Sequence, residues 1–287
     1  IPASVGQDGK RSDRHTLCVS TQVGCAYGCK FCASGIMGYR RNLDVFEIVD
    51  QVLSVERWRR DHLVESGEYS EDTLPKGQSL VNNLVIMGMG EPLANYDNLT
   101  KALHILNAPW GMNIGARKIT VSTSGLVPQI RMLAEEPQQY HLAISLHVAT
   151  DEVRSQIMPI NRKYPLEALL SACEAYQQAK GRMIWVEYIL IDEINTGVDQ
   201  VEALVGLAKR LQCKVNLIPY NPVGGLEWKR PSGETVSRFR DALHHRGVRV
   251  TVRTEKGTDI DAACGQLRLK TEQTAANQVL GQAAETA

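Results

Sequence analysis

The amino-acid sequence predicts an α/β protein, in which a parallel sheet is curled into an open, partial barrel of the (β/α)6 type with helices outside. From about residue 15 onward, short apolar runs rich in β-formers alternate with longer helical stretches. Strand–helix repetition of this kind gives a parallel sheet covered by helices. Because there are six or seven such units, a curled sheet is favoured, with its ligand site at the carboxyl ends of the strands.

Seven short segments carry the strand pattern. Most are bounded by Gly, Pro, Asn or Ser, the residues that usually end strands. The predicted strands are 15–20, 83–88, 118–122, 141–146, 183–191, 214–218 and 247–253.

Six longer segments carry the helical pattern: 44–60, 95–107, 127–136, 165–180, 198–211 and 232–246. Asp44 and Ser232 are placed to cap helix N-termini, and Gly181 and Gly247 to end helices. Cys173 falls on the inward stripe of one helix and Cys213 adjoins a strand, so both are predicted to be small core residues.

The domain organisation is predicted to be simple. Residues 1–14 are polar and basic and read as a linker, 15–269 as one barrel domain, and 270–287 as a mobile tail without a core pattern. Residues 61–82 are polar and acidic and read as a surface loop or insertion. The chain opens at Ile1 without an initiator Met, which suggests a piece of a longer protein.

Composition excludes several classes of protein. With 43% hydrophobic and 22% charged residues, the chain is not disordered as a whole. No run approaches the roughly 20 apolar residues of a membrane helix, and no leader points to secretion, so we expect a cytoplasmic protein. Residues 201–270 hold 13 basic against 7 acidic residues, which fits either a surface for a polyanion or a solvated face.

The most informative motif is a run of three cysteines after the first predicted strand. Cys25, Cys29 and Cys32 have the spacing C-x3-C-x2-C within an odd total of seven cysteines, which favours reduced thiols that bind metal over a disulfide framework. Thiolates suit iron–sulfur clusters or zinc, and Cys18 is a candidate fourth zinc ligand. A closed cubane uses four cysteines, so three leave one iron open to bind S-adenosylmethionine (SAM).

Polar residues follow several of the other strands, where a barrel would bind a ligand. Glu91 lies in the turn Gly88-Met89-Gly90-Glu91-Pro92, and each candidate has an ordinary structural reading beside the functional one: a Gly-Pro turn, or a hydrogen-bonded core histidine. The other candidates at strand ends are Ser122, Ser145, His147 and Asn221.

The cysteine spacing resembles that of the radical SAM superfamily, and further motifs make the chain similar to the RlmN/Cfr family of radical SAM adenosine methyltransferases, most of all to RlmN. The resemblance covers roughly residues 15–269. The segments that carry it are LCVSTQVGC at 17–25, GMGEP at 88–92, STSG at 122–125, SLH at 145–147 and DIDAACGQL at 259–267.

The resemblance implies a function for each of these segments. It implies that Cys25, Cys29 and Cys32 hold a [4Fe–4S] cluster, that Cys264 takes a methyl group from a first SAM, and that Cys18 resolves an RNA–protein crosslink by pairing transiently with Cys264. From the residues alone, Cys264 reads equally well as an inert loop thiol. The implied contacts with SAM, of which two are used per turnover, are Gly90, Glu91, Ser122, Ser145, Leu146, His147 and Asn221.

The resemblance also implies a reaction and partners. RlmN-like proteins methylate carbon 2 of an adenosine in the peptidyl-transferase centre of 23S rRNA and of the adenosine 3′ of certain tRNA anticodons, whereas Cfr-like proteins methylate carbon 8 of the rRNA adenosine. A monomer that takes electrons from a donor such as flavodoxin or ferredoxin is expected. The candidate RNA contacts are Arg40, Arg41, Lys229, Arg230, Arg249 and Arg253.

The chain differs from the family in two features, and two other functions are also considered. The family's N-terminal RNA-binding domain has no counterpart in the chain, and a glutamate proposed as the base that deprotonates adenine would fall upstream of Ile1. A radical SAM enzyme of other output, such as an activase that makes glycyl radicals, would not need the Cys18/Cys264 pair. A non-catalytic, metal-stabilised RNA-binding module would not cleave SAM.

Overall fold

A computed structural model of the chain describes residues 14–70, 72–73, 79–223 and 226–253. Seven strands form one sheet in which every neighbouring pair is parallel. In sheet order, which is also chain order, the strands are β1 (Thr16–Cys18), β4 (Asn83–Ile86), β5 (Ile119–Thr123), β6 (His141–Ser145), β7 (Trp185–Leu190), β8 (Lys214–Pro219) and β9 (Arg249–Val252). β2 (Gln22–Val23) and β3 (Arg41–Asn42) form a separate two-stranded antiparallel ribbon.

The sheet is a curled half-barrel covered by helices, and the predicted fold class is confirmed. Among the residues that the structure describes, β1 and β9 are the edge strands and do not pair with each other, so the barrel is open. The helices are α1 (Ala33–Ile36), α2 (Val45–Glu65), α3 (Tyr96–Asn107), α4 (Val127–Glu135), α5 (Asp151–Ile157), α6 (Leu166–Lys180), α7 (Val198–Leu211) and α8 (Gly233–His245). None of them, over the residues described, is long and apolar enough to cross a bilayer.

All seven predicted strands and all six predicted helices are present, and the local end signals act as expected. Asp44 and Glu47 form a capping box at the start of α2. The Ser232 hydroxyl accepts a hydrogen bond from the Thr235 N–H at 3.1 Å before α8, and Gly181 ends α6 with φ of 59°. At the two N-termini, the side-chain oxygens bind N–H groups that the helix itself leaves without partners.

The prediction of a loop over 61–82 is partly wrong, because α2 continues to Glu65. Its last turns are charged, as suits a helix with one face in water, and Leu63 anchors them in the core. The following segment returns to the helix through Glu56, whose carboxylate accepts hydrogen bonds from the N–H groups of Leu80 and Val81, both at 2.9 Å.

The core lies between the sheet and the outer helices. Cys173 on α6 is fully buried and Cys213 before β8 is 3% exposed, so both are small core residues as predicted. Cys264, the predicted tail 270–287 and nearly all of the predicted linker lie outside the described residues.

Candidate active site at the carboxyl ends of the strands

The three clustered cysteines lie on a loop that is tied down at several points. The Cys25 N–H donates to the Gly38 carbonyl at 3.1 Å and the Cys32 N–H to the Cys29 carbonyl at 3.1 Å. Between them, the Lys30 N–H donates to the carbonyl of Ile157 at the end of α5, at 2.9 Å. These bonds fix the loop over the sheet, and all three cysteines line one cavity of about 290 Å3.

Burial governs the chemistry of these thiols. It raises the pKa of Cys25 to about 11, although hydrogen bonds from the backbone of Tyr27 and Glu91 act in the opposite direction. Burial raises the pKa of Cys29 as well, with smaller electrostatic contributions from Cys32 and Cys25. Metal binding would therefore have to displace the protons that burial favours on Cys25 and Cys29.

The three thiols fit a cluster better than a single ion. Within the part of the chain that the structure describes, no three His, Cys, Asp or Glu side chains are grouped to hold one metal ion. A cubane places each thiolate on a different iron atom, so its ligands stand farther apart than those of one ion. Three soft thiol donors around one cavity match that need.

The turn after β4 brings a carboxylate into the same cavity. Gly90 has φ of 97°, and a Cβ there would lie 2.5 Å from the Gln22 side chain, so only glycine fits. Glu91 is 4% exposed; its two oxygens accept hydrogen bonds from the N–H groups of Leu93 at 3.1 Å and Ser124 at 2.7 Å. Burial nevertheless raises the pKa of Glu91.

Two serines and a histidine stand at the next strand ends. The hydroxyls of Ser122 on β5 and Ser145 on β6 are 3.4 Å apart, and both line the cavity with His147. The His147 Nδ1 accepts a hydrogen bond from the Ile189 N–H at 3.1 Å, which leaves the ring proton on Nε2. Burial lowers the pKa of His147 to about 3, so the ring is neutral.

The remaining predicted contacts are distributed unequally. Asn221, after β8, lines the cavity, and its Oδ1 accepts a hydrogen bond from Arg230 at 3.1 Å. Leu146 is not among the lining residues: its side chain is buried in the core and its carbonyl accepts from Arg154 at 3.0 Å. Cys18, half-buried at the end of β1, does not line the cavity either.

Residues that the sequence analysis missed complete the site. Glu187 lies on β7 in register with Ser145, lines the cavity and accepts a hydrogen bond from Asn216 at 2.7 Å. A single acid in an otherwise apolar strand is the signal that would have pointed to it. Arg154, on the unpredicted helix α5, is completely buried behind the same strand ends, and nothing in its local sequence marks it.

Comparisons with known proteins agree with this geometry. The model of the radical SAM superfamily matches residues 19–205. The chain is 53% identical over 273 residues to a probable dual-specificity RNA methyltransferase RlmN from Akkermansia muciniphila, covering 95% of this chain and 71% of that protein. It is 56% identical over 268 residues to a probable dual-specificity RNA methyltransferase RlmN 3 from Opitutus terrae, covering 93% and 69%.

A solved structure extends the likeness to three dimensions. The crystal structure of a radical SAM methyltransferase from Sphaerobacter thermophilus superposes with a TM-score of 0.81 at 46% identity, covering 91% of this chain and 74% of that one. The chain is therefore similar to methyltransferases of this kind both in sequence and in fold. The chain belongs to the radical SAM superfamily and, within it, to the family of RlmN dual-specificity RNA methyltransferases.

Proposed function

We propose that the chain is the catalytic unit of a radical SAM RNA methyltransferase that methylates carbon 2 of adenosine in 23S rRNA and in tRNA. The observation that carries the proposal is the convergence of Cys25, Cys29 and Cys32 with Glu91 and His147 on one cavity at the strand ends. The names of the relatives supply the substrate class. Aromatic carbon is not a nucleophile, which is why such a methylation needs radical chemistry.

Each group around the cavity has a defined task in this proposal. Cys25, Cys29 and Cys32 would hold a [4Fe–4S] cluster, which when bound supplies the electron that cleaves SAM. The neutral His147 ring offers its Nε2 proton as a donor, and Ser122 and Ser145 offer hydroxyls that donate or accept.

Three further residues that line the cavity, one in the turn after β4 and two on strands, support those groups. The N–H groups of Leu93 and Ser124 hold the Glu91 carboxylate at the cavity wall. The side chains of Ile189 and Ile218 line the cavity beyond the polar groups, where they exclude water from a reactive intermediate.

Two further cysteines are proposed to handle the transferred carbon. Cys264 would accept a methyl group from one SAM, and a second SAM would be consumed to activate that methyl for addition to adenine. The adduct links RNA to the Cys264 sulfur, and it would give up one electron to the electron carrier and its carbon-2 proton to a base. The Cys18 thiolate would then attack the Cys264 sulfur. The sulfur–carbon bond would break with its electron pair on the carbon, which takes up a proton as the new methyl group of the RNA, and a Cys18–Cys264 disulfide remains for reduction.

The proposed unit spans residues 15–269 and has RNA and an electron donor such as flavodoxin or ferredoxin as partners. Among the candidate RNA contacts, Arg253 lines the cavity and Arg230 bonds to Asn221, so both are placed to meet a nucleotide entering it. Arg41 instead pairs with Glu47, at 2.6 Å, and is a weaker candidate. Phosphate contacts of this kind make RNA binding depend on salt concentration.

The test is anaerobic reconstitution with iron and sulfide, followed by incubation with reductant, RNA and SAM labelled in its methyl group. We expect 2-methyladenosine in both RNAs, deoxyadenosine from SAM, and a methyl group on Cys264 by mass spectrometry. The Cys264→Ala variant should still cleave SAM but leave RNA unmethylated, whereas Cys213→Ala, a core thiol, should behave as wild type.

Each other outcome identifies a different protein. Methylation at carbon 8 would indicate a Cfr-like enzyme, and deoxyadenosine without modified RNA would indicate a radical SAM enzyme of other output. A protein that binds RNA and yields no deoxyadenosine would be a non-catalytic module.

A further inference from the structure

Arg154 is a buried cation whose partners are all neutral. Its side chain on α5 is completely inaccessible to solvent. Nε donates to the Leu146 carbonyl at 3.0 Å, and Nη1 donates to the amide oxygen of Asn161 at 2.7 Å. Nη2 donates to the carbonyls of Ser124 at 2.7 Å and Ser145 at 3.5 Å. The guanidinium is thus well hydrogen-bonded, but none of these bonds balances its charge.

The acceptors are the backbone of the candidate active site. Ser124 follows β5, Ser145 ends β6 and Leu146 follows it, so one side chain joins two neighbouring strand ends. The helix that carries Arg154 also ends in Ile157, whose carbonyl accepts from Lys30 in the cysteine loop at 2.9 Å. Arg154 therefore sets the spacing of the strand ends, and its helix braces the loop.

The charge on Arg154 has no counterion at ion-pair distance among the described residues. Asp151, in the first turn of the same helix, accepts instead from the Asn161 amide at 2.8 Å and from the Leu166 N–H at 2.8 Å. Burial lowers the pKa of Arg154 to about 10, and Cys29 is the strongest opposing electrostatic influence, ahead of Asp151. A buried charge without a counterion is costly, so an anion bound near this side chain would be stabilised.

We propose that Arg154 is a positioning residue and a built-in countercharge for the thiolate-ligated iron–sulfur cluster. The inference rests on the proposed function only in requiring that Cys25, Cys29 and Cys32 hold that cluster. Three thiolates would bring negative charge to the loop that the Arg154 helix braces, and each electron added to the cluster would bring more. A fixed positive charge at this position favours the reduced cluster, since charge and burial are among the factors that set its potential.

The decisive measurement is the midpoint potential of the cluster in the reconstituted full chain, from a redox titration followed by electron paramagnetic resonance. Arg154→Gln removes the charge and should shift the potential to a more negative value. Arg154→Lys keeps the charge while losing the planar set of donors, and should restore the wild-type potential even where its thermal stability is lower. The matched control is Arg240→Gln, which removes an exposed arginine paired with Asp241 on α8 and should change neither quantity.

The outcomes separate the inference from the proposed function. A fully loaded Arg154→Gln protein with an unchanged potential would overturn the inference, while wild-type RNA methylation would leave the function standing. If Arg154→Gln fails to fold, Arg154→Met, which is also uncharged, takes its place: a negative shift of the potential supports the countercharge, and an unchanged potential refutes it. A wild-type protein that assembles no cluster would refute the proposed function itself.

Discussion

Two regions of the molecule hold cysteines whose pKa is raised by burial, and they differ in what surrounds the thiols. Cys173 and Cys213 are packed in the core between α6 and the sheet, and Cys25 and Cys29 stand in the loop over the strand ends. Burial raises the pKa in both regions, to about 12 for Cys213 and about 11 for Cys25. A raised pKa therefore does not distinguish an inert thiol from a metal ligand in this protein.

The distinguishing feature is the cavity. Cys173 and Cys213 belong to the hydrophobic core, and neither of them lines the cavity at the strand ends. The loop thiols line the cavity of about 290 Å3, which Glu91 and Ser122 also line. The reactivity of each cysteine depends on where it lies in the fold. The C-x3-C-x2-C segment directly follows β1 and β2 in the chain, and this connection places its thiols at the cavity.

The largest effect should come from exchanging these thiols one at a time. Alanine at Cys25, Cys29 or Cys32 removes a ligand, so we expect loss of the cluster and of deoxyadenosine formation. Alanine at Cys173 or Cys213 should keep both, at a cost of about 1 kcal/mol in the free energy of unfolding. Iron content per chain after reconstitution and thermal unfolding measure the two effects. A cluster that survives in Cys29→Ala, or is lost in Cys213→Ala, would remove the contrast.

The sequence predicted these two classes of thiol for different reasons. Cys173 could be assigned to the core because Leu166, Leu169 and Leu170 share its stripe on α6, which is a local pattern with period 3.6. The longer helices were predictable from their helical pattern. The strands were predictable from short apolar runs bounded by Gly, Pro, Asn or Ser. The roles of Cys18 and Cys264 came only from the family resemblance, and they stay predictions because no local pattern or described contact bears on them.

What the sequence could not provide is long-range and polar. The helix α5 was missed because DEVRSQI shows no continuous apolar stripe, and Arg154 within it forms bonds to strand ends that are close only after folding. Leu146 was predicted as a ligand contact from the family resemblance; its side chain is buried in the core, and the contact stays a prediction. Charge burial depends on the whole fold, so no window of sequence reveals it.

A second test compares two buried carboxylates, one in each region. Glu91 lines the cavity and Glu56 caps the segment at 80–81 away from it. In each, Gln would turn an amide N–H toward backbone donors, which should cost about 1–3 kcal/mol of stability. Only Glu91→Gln should also weaken S-adenosylhomocysteine binding to the cluster-loaded protein, by roughly tenfold or more, as measured by calorimetry. Equal losses of affinity in both variants would mean that Glu91 acts through stability alone.

The smallest effect concerns His147, whose pKa of about 3 means that the fold holds it neutral. In the unfolded chain the ring takes up a proton near pH 6.5. The contribution of the neutral ring to the free energy of unfolding is therefore present above that pH. It is lost as pH falls from about 6.5 toward 3, at no more than about 1.4 kcal/mol per pH unit.

His147→Asn tolerates the φ of 62° and keeps an acceptor for the Ile189 N–H. Urea unfolding of the cluster-free protein at pH 7 and pH 5 should show a smaller drop for this variant than for the wild type. Equal drops would mean that the fold does not lower the pKa of His147, and the ring would then not be held neutral by its surroundings.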